Sequence, residues 1–323
     1  MSLPHLGHTP DVQDHKYLSP KIILKDLDAN RAEWLDLRRG KISSSNVAVV
    51  CGLSPYKSPL QLWAEWTGKV EDTFTGNKAT QVGTALEPLV ASWFAERTGM
   101  GVDKADALYG DHELSWLVCS PDYLINGGDP LEIKTGSFRT AHRWGEGRAP
   151  YEYVLQLQIQ MRVLRRSRGV LTAFLGDFES MPDVSVEYDP ELFAMVREKA
   201  EAFLDCVRQD IPPAAGAGDA DLIRSISQRE EGAVVVWNET EADVVAFLVE
   251  QAKAVAETAA KIRKELDKVD KQKRELENRI KQMMGKCTIG TLPDGRSVRL
   301  TTVHVGEKTV APYCYDRLGL PKN

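Results

Sequence analysis

Asp122, Glu132 and Lys134 are the residues whose types and spacing best suit chemistry in this 323-residue chain. They lie in the stretch WLVCSPDYLINGGDPLEIK, residues 116–134. Its apolar opening, Trp116 to Cys119, is broken by Ser120-Pro121-Asp122. Asn126-Gly127-Gly128-Asp129-Pro130 is dense turn chemistry, and Leu131 starts a second strand-like run. The pattern predicts a β-hairpin with Asp122 where one strand ends and Glu132 and Lys134 on the next. Strand side chains alternate, so Glu132 and Lys134 share a face about 7 Å apart while Ile133 points into the opposite layer. Asp122 on the neighbouring strand then meets Glu132. Two converging carboxylates suit a hard divalent cation, and a lysine beside them can position or activate a water. This predicts a metal-dependent phosphodiesterase site. The alternative is a solvated Glu–Lys pair on an exposed strand, because Glu-x-Lys alone is a common triplet.

The elements that must position these groups follow from periodicity. Val82, Leu86, Leu89, Val90, Trp93 and Phe94 recur at helical spacing between residues 79 and 98, and Gly99 stops that helix. Glu87 borders the apolar face and Pro88 follows it. A proline inside a helix costs about 3 kcal/mol and bends it, which either aims Glu87 inward or leaves a surface glutamate at a kink. After the hairpin, Pro150 opens a helix whose buried stripe is Leu157, Met161 and Leu164, flanked by Gln156 and Gln160, with Arg162, Arg165 and Arg166 facing outward. Residues 139–168 hold seven arginines against two glutamates, a local balance of +5. Such a run is either a solvated face or a DNA-backbone contact, for which Arg143, Arg162 and Arg165 are the candidates.

Elsewhere, Asn30 caps a helix through Trp34 and Leu37 that ends near Gly40. Ser44 or Ser45 precedes a short apolar helix stopped by Gly52, and a tryptophan-bearing helix ends at Gly68. Residues 170–175 and 184–188 read as strands, and Asp189-Pro190 begins a helix to about Arg208. Apolar residues then recur in heptads from Val245/Leu248 to Ile280/Met283, interrupted only by Lys273, which predicts one long helix. Gly285 ends it, and a hairpin is expected around Asp294-Gly295. The expected division is an N-terminal arm over 1–29, a catalytic domain over 30–215 and a helical extension with a terminal hairpin over 216–323.

Composition sets the outer bounds. At 42% hydrophobic the chain can bury a full core, and no apolar run approaches the roughly 18 residues of a membrane span. Five scattered cysteines without CxxC spacing read as reduced intracellular thiols, which gives a cytoplasmic expectation and argues against a zinc or iron–sulfur site. The net charge of −6 does not advertise a nucleic-acid binder, although a local basic patch suffices for one.

Taken together the motifs resemble the YqaJ-type viral recombinase family, the lambda-type phage alkaline exonucleases of the PD-(D/E)XK nuclease superfamily. The entry motif stands as Trp34, Leu37, Arg38, Gly40, Ile42, Ser43 and Ser45, followed by Gly-Leu-Ser-Pro-Tyr-x-Ser-Pro at 52–59. Gly83 to Pro88 carries Gly-x-x-x-Glu-Pro, and Ser-Pro-Asp and Glu-x-Lys end at Asp122 and Lys134. The glutamine-rich helix motif is Gln156 to Met161, with Ile159 in place of histidine. Tyr123 stands where a glycine is usual. The resemblance implies Asp122 and Glu132 as metal ligands with the backbone carbonyl of Ile133, and Glu87 as an outer acidic ligand. It implies Mg²⁺, with Mn²⁺ an alternative. Lys134 orients and activates water, and Gln156 holds the lysine or the water. Arg38 and Ser45, assisted by Arg139, bind the 5′ phosphate of a DNA end.

The expected fold is therefore α/β, a PD-(D/E)XK restriction-endonuclease-like core with a mixed central sheet flanked by helices. The expected reaction is 5′→3′ hydrolysis of double-stranded DNA ends, leaving a 3′ strand for a single-strand annealing protein. A homo-oligomer and no membrane association are implied. A PD-(D/E)XK endonuclease and a non-catalytic DNA-end-binding or scaffold protein are the rival readings.

Overall fold

The computed structural model describes residues 19–72, 76–145, 147–177, 181–227 and 230–301. The chain divides into one unit through Ser227 and a second from Gln228. The first opens with strand β1 (Lys21–Lys25), helix α1 (Arg31–Arg38), strand β2 (Ile42–Ser43) and helices α2 (Val47–Val50), α3 (Pro59–Trp66) and α4 (Lys78–Thr98). Strands β3 (Val102–Lys104), β4 (Ala107–Gly110), β5 (Leu117–Cys119), β6 (Tyr123–Ile125) and β7 (Asp129–Thr135) follow. Helix α5 (Tyr151–Leu164), strands β8 (Arg168–Phe174) and β9 (Asp183–Glu187), and helices α6 (Pro190–Gln209) and α7 (Ala220–Ser227) complete it.

Two mixed sheets organise this unit. The central one has the order β3-β6-β7-β8-β9, in which only β7 and β8 are parallel. Parallel neighbours need a long crossover, and α5 supplies it. The second sheet has the order β1-β4-β5-β2. Period-two alternation on β7 splits its side chains between two layers. Leu131 and Ile133 pack with Val90, Ala91 and Phe94 of α4 on one face. On α5, Leu157 and Met161 pack with Leu171 and Val184 of the sheet, while Leu155, Ile159 and Val163 enter the larger core beneath α2, α3 and α6. With nine buried residues, α5 is the spine of the unit. Removing one large side chain there, such as Ile159, should cost about 2–5 kcal/mol.

Gly83 sets how closely α4 approaches β7. A Cβ at that position would lie 2.9 Å from Thr135 Oγ1, so a larger residue requires the Thr135 side chain or the helix to shift.

The hairpin differs from the expected one. The strand ending at Cys119 belongs to the second sheet, and the partner of β7 is β6, which begins one residue after Asp122. The turn between them uses positive φ at Asn126 and Gly127, which the Asn-Gly pair accommodates. Asp122 thus sits at the crossing from one sheet to the other rather than at the end of a hairpin strand.

Other expectations need correcting. Part of the N-terminal arm is strand β1, paired with β4; residues 1–18 lie outside the described residues. The α4 stripe is buried only in its second half, with Val82 and Leu89 exposed. Asn30 precedes α1 without a side-chain cap bond, donating instead to the carbonyls of Lys25 and Asp26. Ser44 and Ser45 do not cap α2; Asn46 precedes it. The first unit runs beyond residue 215, because Leu222, Ile223 and Ile226 of α7 pack on the main core and Ser58 donates to Asp219 at 2.6 Å.

The second unit holds helix α8 (Glu239–Met284), begun by a capping box between Asn238 and Glu241. A hairpin of β10 (Ile289–Thr291) and β11 (Ser297–Arg299) follows. Both were expected, and the far end of the hairpin, beyond residue 301, lies outside the described residues. Among the described residues, no helix is long and apolar enough to cross a membrane.

Candidate active site

Glu132 is the centre of the site. The alternation that sends Leu131 and Ile133 toward α4 sends Glu132 to the α5 side, where it is 1% exposed. Burying a carboxylate is costly unless its oxygens are satisfied. Three side chains do this. Lys134 Nζ donates to Oε1 at 2.5 Å, Gln156 Nε2 donates to the same oxygen, and Gln160 Nε2 donates to Oε2 at 2.5 Å. Lys134 also donates to Gln156 Oε1 at 3.0 Å and lies over the Tyr153 ring at 4.9 Å. Gln156 and Gln160 are one turn apart on α5, so one helix face presents both amides.

Asp122 reaches the same strand from the residue just before β6. Tyr123 pairs with Leu131, so continuing the register sets Asp122 beside Glu132. Its Oδ2 accepts the backbone N–H of Ile133 at 2.7 Å. Burial first, then the charges of Glu132 and Glu87, push the Asp122 carboxyl well above the usual range. The half-buried Glu87 is raised for the same reasons, burial first and Glu132 next. For Lys134 burial works downward, but the carboxylates of Glu132 and Asp122 outweigh it and hold the ammonium above its ordinary value. Lys134 is therefore a cation at neutral pH, suited to placing charge and orienting water rather than to accepting a proton.

Three carboxylates thus crowd around one ammonium. Their hard oxygen donors fit a divalent cation by type. Asp122 Oδ2 accepts one bond from Ile133 N–H and Glu132 Oε2 one from Gln160 Nε2, and each carboxylate oxygen has two lone pairs. Among the described residues no three His, Cys, Asp or Glu side chains are grouped as a ready ligand set. One buried acceptor in the cluster, Gln160 Oε1, has no hydrogen-bond partner among the described residues.

A second constellation joins the entry motif to Ser-Pro-Asp. Arg38 lies over the Trp34 ring at 4.4 Å, donates to Ser43 Oγ at 3.1 Å and to Ser45 Oγ, and burial lowers its pKa. The two serine hydroxyls are 3.0 Å apart. Trp34 Nε1 donates to Ser120 Oγ at 3.3 Å, two residues before Asp122. Among the described residues Arg38 has no carboxylate partner, which leaves its charge available to an anion.

The arginine run is largely committed elsewhere. Arg143 donates to both oxygens of Glu152 at 2.7 and 3.0 Å. Arg162, expected to face outward, is half-buried and bonds Asp111 at 3.0 Å and Glu113 at 2.7 Å. Arg165 lies 3.7 Å from Glu113, and Arg168 pairs with Asp129 at 3.2 Å. The +5 balance counted along the sequence is offset by acids from β4–β5 and the hairpin turn. Arg139 is exposed beside Phe138, 5.9 Å from its ring.

Sequence reasoning missed Gln160 and Tyr153 as parts of the site, and Ser43 as part of the arginine cluster. The i, i+4 spacing from Gln156 was the available signal for Gln160.

Residues 33–167 match the family described as YqaJ-like viral recombinase domain. The chain is 28% identical over 273 residues to the uncharacterized protein YqaJ of Bacillus subtilis (strain 168), covering 84% of this chain and 83% of that one. It is similar to the crystal structure of the alkaline exonuclease LHK-Exo from Laribacter hongkongensis, with a TM-score of 0.49 and 28% identity over 56% of this chain and 94% of that chain. A phage-related exonuclease from Haemophilus somnus 129PT gives a TM-score of 0.42 at 16% identity, over 53% and 95%. The stretch that matches the YqaJ-like viral recombinase domain contains Arg38, Glu87, Asp122, Glu132, Lys134, Gln156 and Gln160.

Proposed function

We propose that the protein is a Mg²⁺-dependent exonuclease that degrades duplex DNA from 5′ ends and leaves 3′ single strands for an annealing protein. The observation that carries this reading is the convergence of Asp122, Glu132, Lys134 and Gln156 on one buried carboxylate centre inside the family-matched stretch. Asp122 and Glu132, with the Ile133 carbonyl, would hold the ion, and Glu87 would act through its outer water. A bound divalent ion supplies polarisation of the scissile phosphate and a lowered pKa for its water.

The protein's own groups do the rest. Lys134 places a positive charge where negative charge develops on the phosphate, and Gln156 fixes that ammonium by accepting from it. Arg38 with Ser43 and Ser45 forms a site for a phosphate, since guanidinium and hydroxyl donors both suit its oxygens. An anchor for a terminal phosphate near a hydrolytic centre favours attack at ends over attack at internal positions.

The test compares linear with covalently closed circular duplex, each with Mg²⁺ or EDTA, for wild type, Glu132→Ala and Lys134→Ala. Expected is Mg²⁺-dependent loss of the linear substrate alone, nearly abolished in both variants. Equal cleavage of the circle would favour an endonuclease, and near wild-type turnover by Glu132→Ala would remove the active-site assignment.

A further inference from the structure

The seam of α8 is exposed along its length. Val255, Ile262, Leu266, Val269 and Leu276 are between 56% and 66% exposed, and Met283 is 88% exposed. A narrow apolar seam with charged flanks is a surface for another helix. The flanking charges identify which helix and in which direction.

In heptad terms the inner positions over the second half are Ala259, Ile262, Leu266, Val269, Lys273, Leu276, Ile280 and Met283. The positions beside the seam include Arg263, Asp270 and Glu277 on one edge and Glu265, Gln272 and Arg279 on the other. Two parallel copies would set Lys273 against Lys273 and Glu265 against Asp270 of the other copy. Both contacts are like-charged. Two antiparallel copies can instead align Leu266 with Leu276, Ile262 with Ile280, Ala259 with Met283 and Val269 with Lys273. In that register Glu265 meets Arg279 and Arg263 meets Glu277, and symmetry makes each pair twice. Asp270 then faces its own counterpart beside the two-fold axis, one turn from Lys273 of each chain, so two ammonium groups flank the two carboxylates. The charges that penalise the parallel pair thus favour the antiparallel one. The existing intrachain pairs, Glu265 with Lys268 at 2.7 Å and Lys273 with Glu277 at 3.8 Å, are exposed and hold these residues only weakly.

We propose that α8 is a homodimerisation arm that pairs antiparallel with α8 of a second copy over residues 259–283, about 37 Å of helix, with the two-fold axis beside Lys271. The occupant of the seam is this chain itself. A single lysine at an inner position is the device by which such a seam fixes register at some cost in stability.

The test uses the full chain with Cys287→Ser and Cys314→Ser, which removes the exposed thiol of Cys287 and that of Cys314. Ile262→Cys and Ile280→Cys proteins are mixed under mild oxidation. The proposal expects a heterodisulfide in the mixture and little homodisulfide in either protein alone, because identical positions are then about 27 Å apart along the axis. A homodisulfide of Ile262→Cys alone means a parallel pair and overturns it. So does the absence of any cross-link across the concentration range in which wild type associates. Sedimentation supplies an independent arm. Glu265→Arg should weaken association about tenfold or more, and Glu265→Arg with Arg279→Glu should restore it. A parallel pair predicts stronger association for Glu265→Arg, because the introduced guanidinium would then meet Asp270 of the other copy.

Discussion

Gln160 holds Glu132 from a position closed to solvent: its Nε2 lies 2.5 Å from Glu132 Oε2, and the two residues are 0% and 1% exposed. A buried carboxylate tolerates its own charge only while its acceptors are filled, and Gln160 is the donor on the side away from Lys134. The glutamine therefore fixes the plane in which Glu132 can offer its remaining lone pairs.

Gln160→Leu keeps the volume and removes the donor. We expect a loss of about 1.5–3 kcal/mol in urea unfolding, the range for a hydrogen bond to a charged group. DNA degradation should fall about tenfold or more through kcat, since a turned carboxylate misplaces whatever it binds. Unfolding curves and initial rates on linear duplex check both parts. Wild-type values in the two assays would reduce Gln160 to packing.

Much of this site was legible in the sequence. Alternation alone placed Glu132 and Lys134 on one face of β7 with Ile133 opposite, and the Asn-Gly turn is where the chain reverses. Helical spacing found α4, α5, α6 and α8, because their patterns run long enough to be distinct. The three-residue strands β3 and β6 are shorter than any reliable period, and nothing in Ser-Pro-Asp says that the chain changes sheets there. The charge balance of the arginine run was hidden for a related reason. A charge count along the chain cannot see Asp111, Glu113 and Asp129, which reach Arg162, Arg165 and Arg168 only through the fold.

Arg162 makes that last point measurable. Asp111 is a buried carboxylate that also accepts the backbone N–H groups of Glu113 and Leu114, each at 2.8 Å. Removing its cation should destabilise the fold by about 3 kcal/mol, as breaking a buried pair does. Arg162→Ala should therefore lower the unfolding midpoint while leaving the salt dependence of DNA binding unchanged. A shallower salt slope with unaltered stability would return Arg162 to the DNA backbone.

The crowded carboxylates predict a pH-dependent response to metal. Asp122 and Glu87 have folded-state pKa values above their ordinary ones. A raised acid contributes stability that is complete below its unfolded pKa and is lost as pH rises through its folded value. Metal-free protein should thus lose stability from about pH 4 upward as these groups ionise together. A Mg²⁺ ion held there, as proposed, would offset that repulsion only where the carboxylates are ionised. The rise in Tm on replacing EDTA with excess Mg²⁺ should be larger at about pH 8 than at about pH 5, and Asp122→Asn should shrink the difference. Melts at both pH values decide it. An equal or larger shift at the lower pH would show that the ion binds elsewhere.

Arg38 is where the structure most changes the terms of a test. It lies at the end of α1, where a cation gains only about 0.3–1 kcal/mol from the helix dipole. That modest role would not require the rest of its surroundings. Its guanidinium is stacked on Trp34, tied to the hydroxyls of Ser43 and Ser45, and partly desolvated without a carboxylate partner among the described residues. Desolvating an unpaired cation costs free energy that an incoming phosphate would offset. If Arg38 receives a terminal phosphate, wild type should degrade 5′-phosphorylated duplex faster than the 5′-hydroxyl form, and Arg38→Ala should erase most of that preference. Arg38→Lys should recover part of it, since an ammonium keeps the charge but loses the fork that reaches both serines and phosphate. Ser45→Ala should reduce the preference without the stability loss expected on removing the stacked guanidinium. Initial rates on the two substrates for the four proteins separate these effects, and a preference undiminished in Arg38→Ala assigns the residue to the helix end alone.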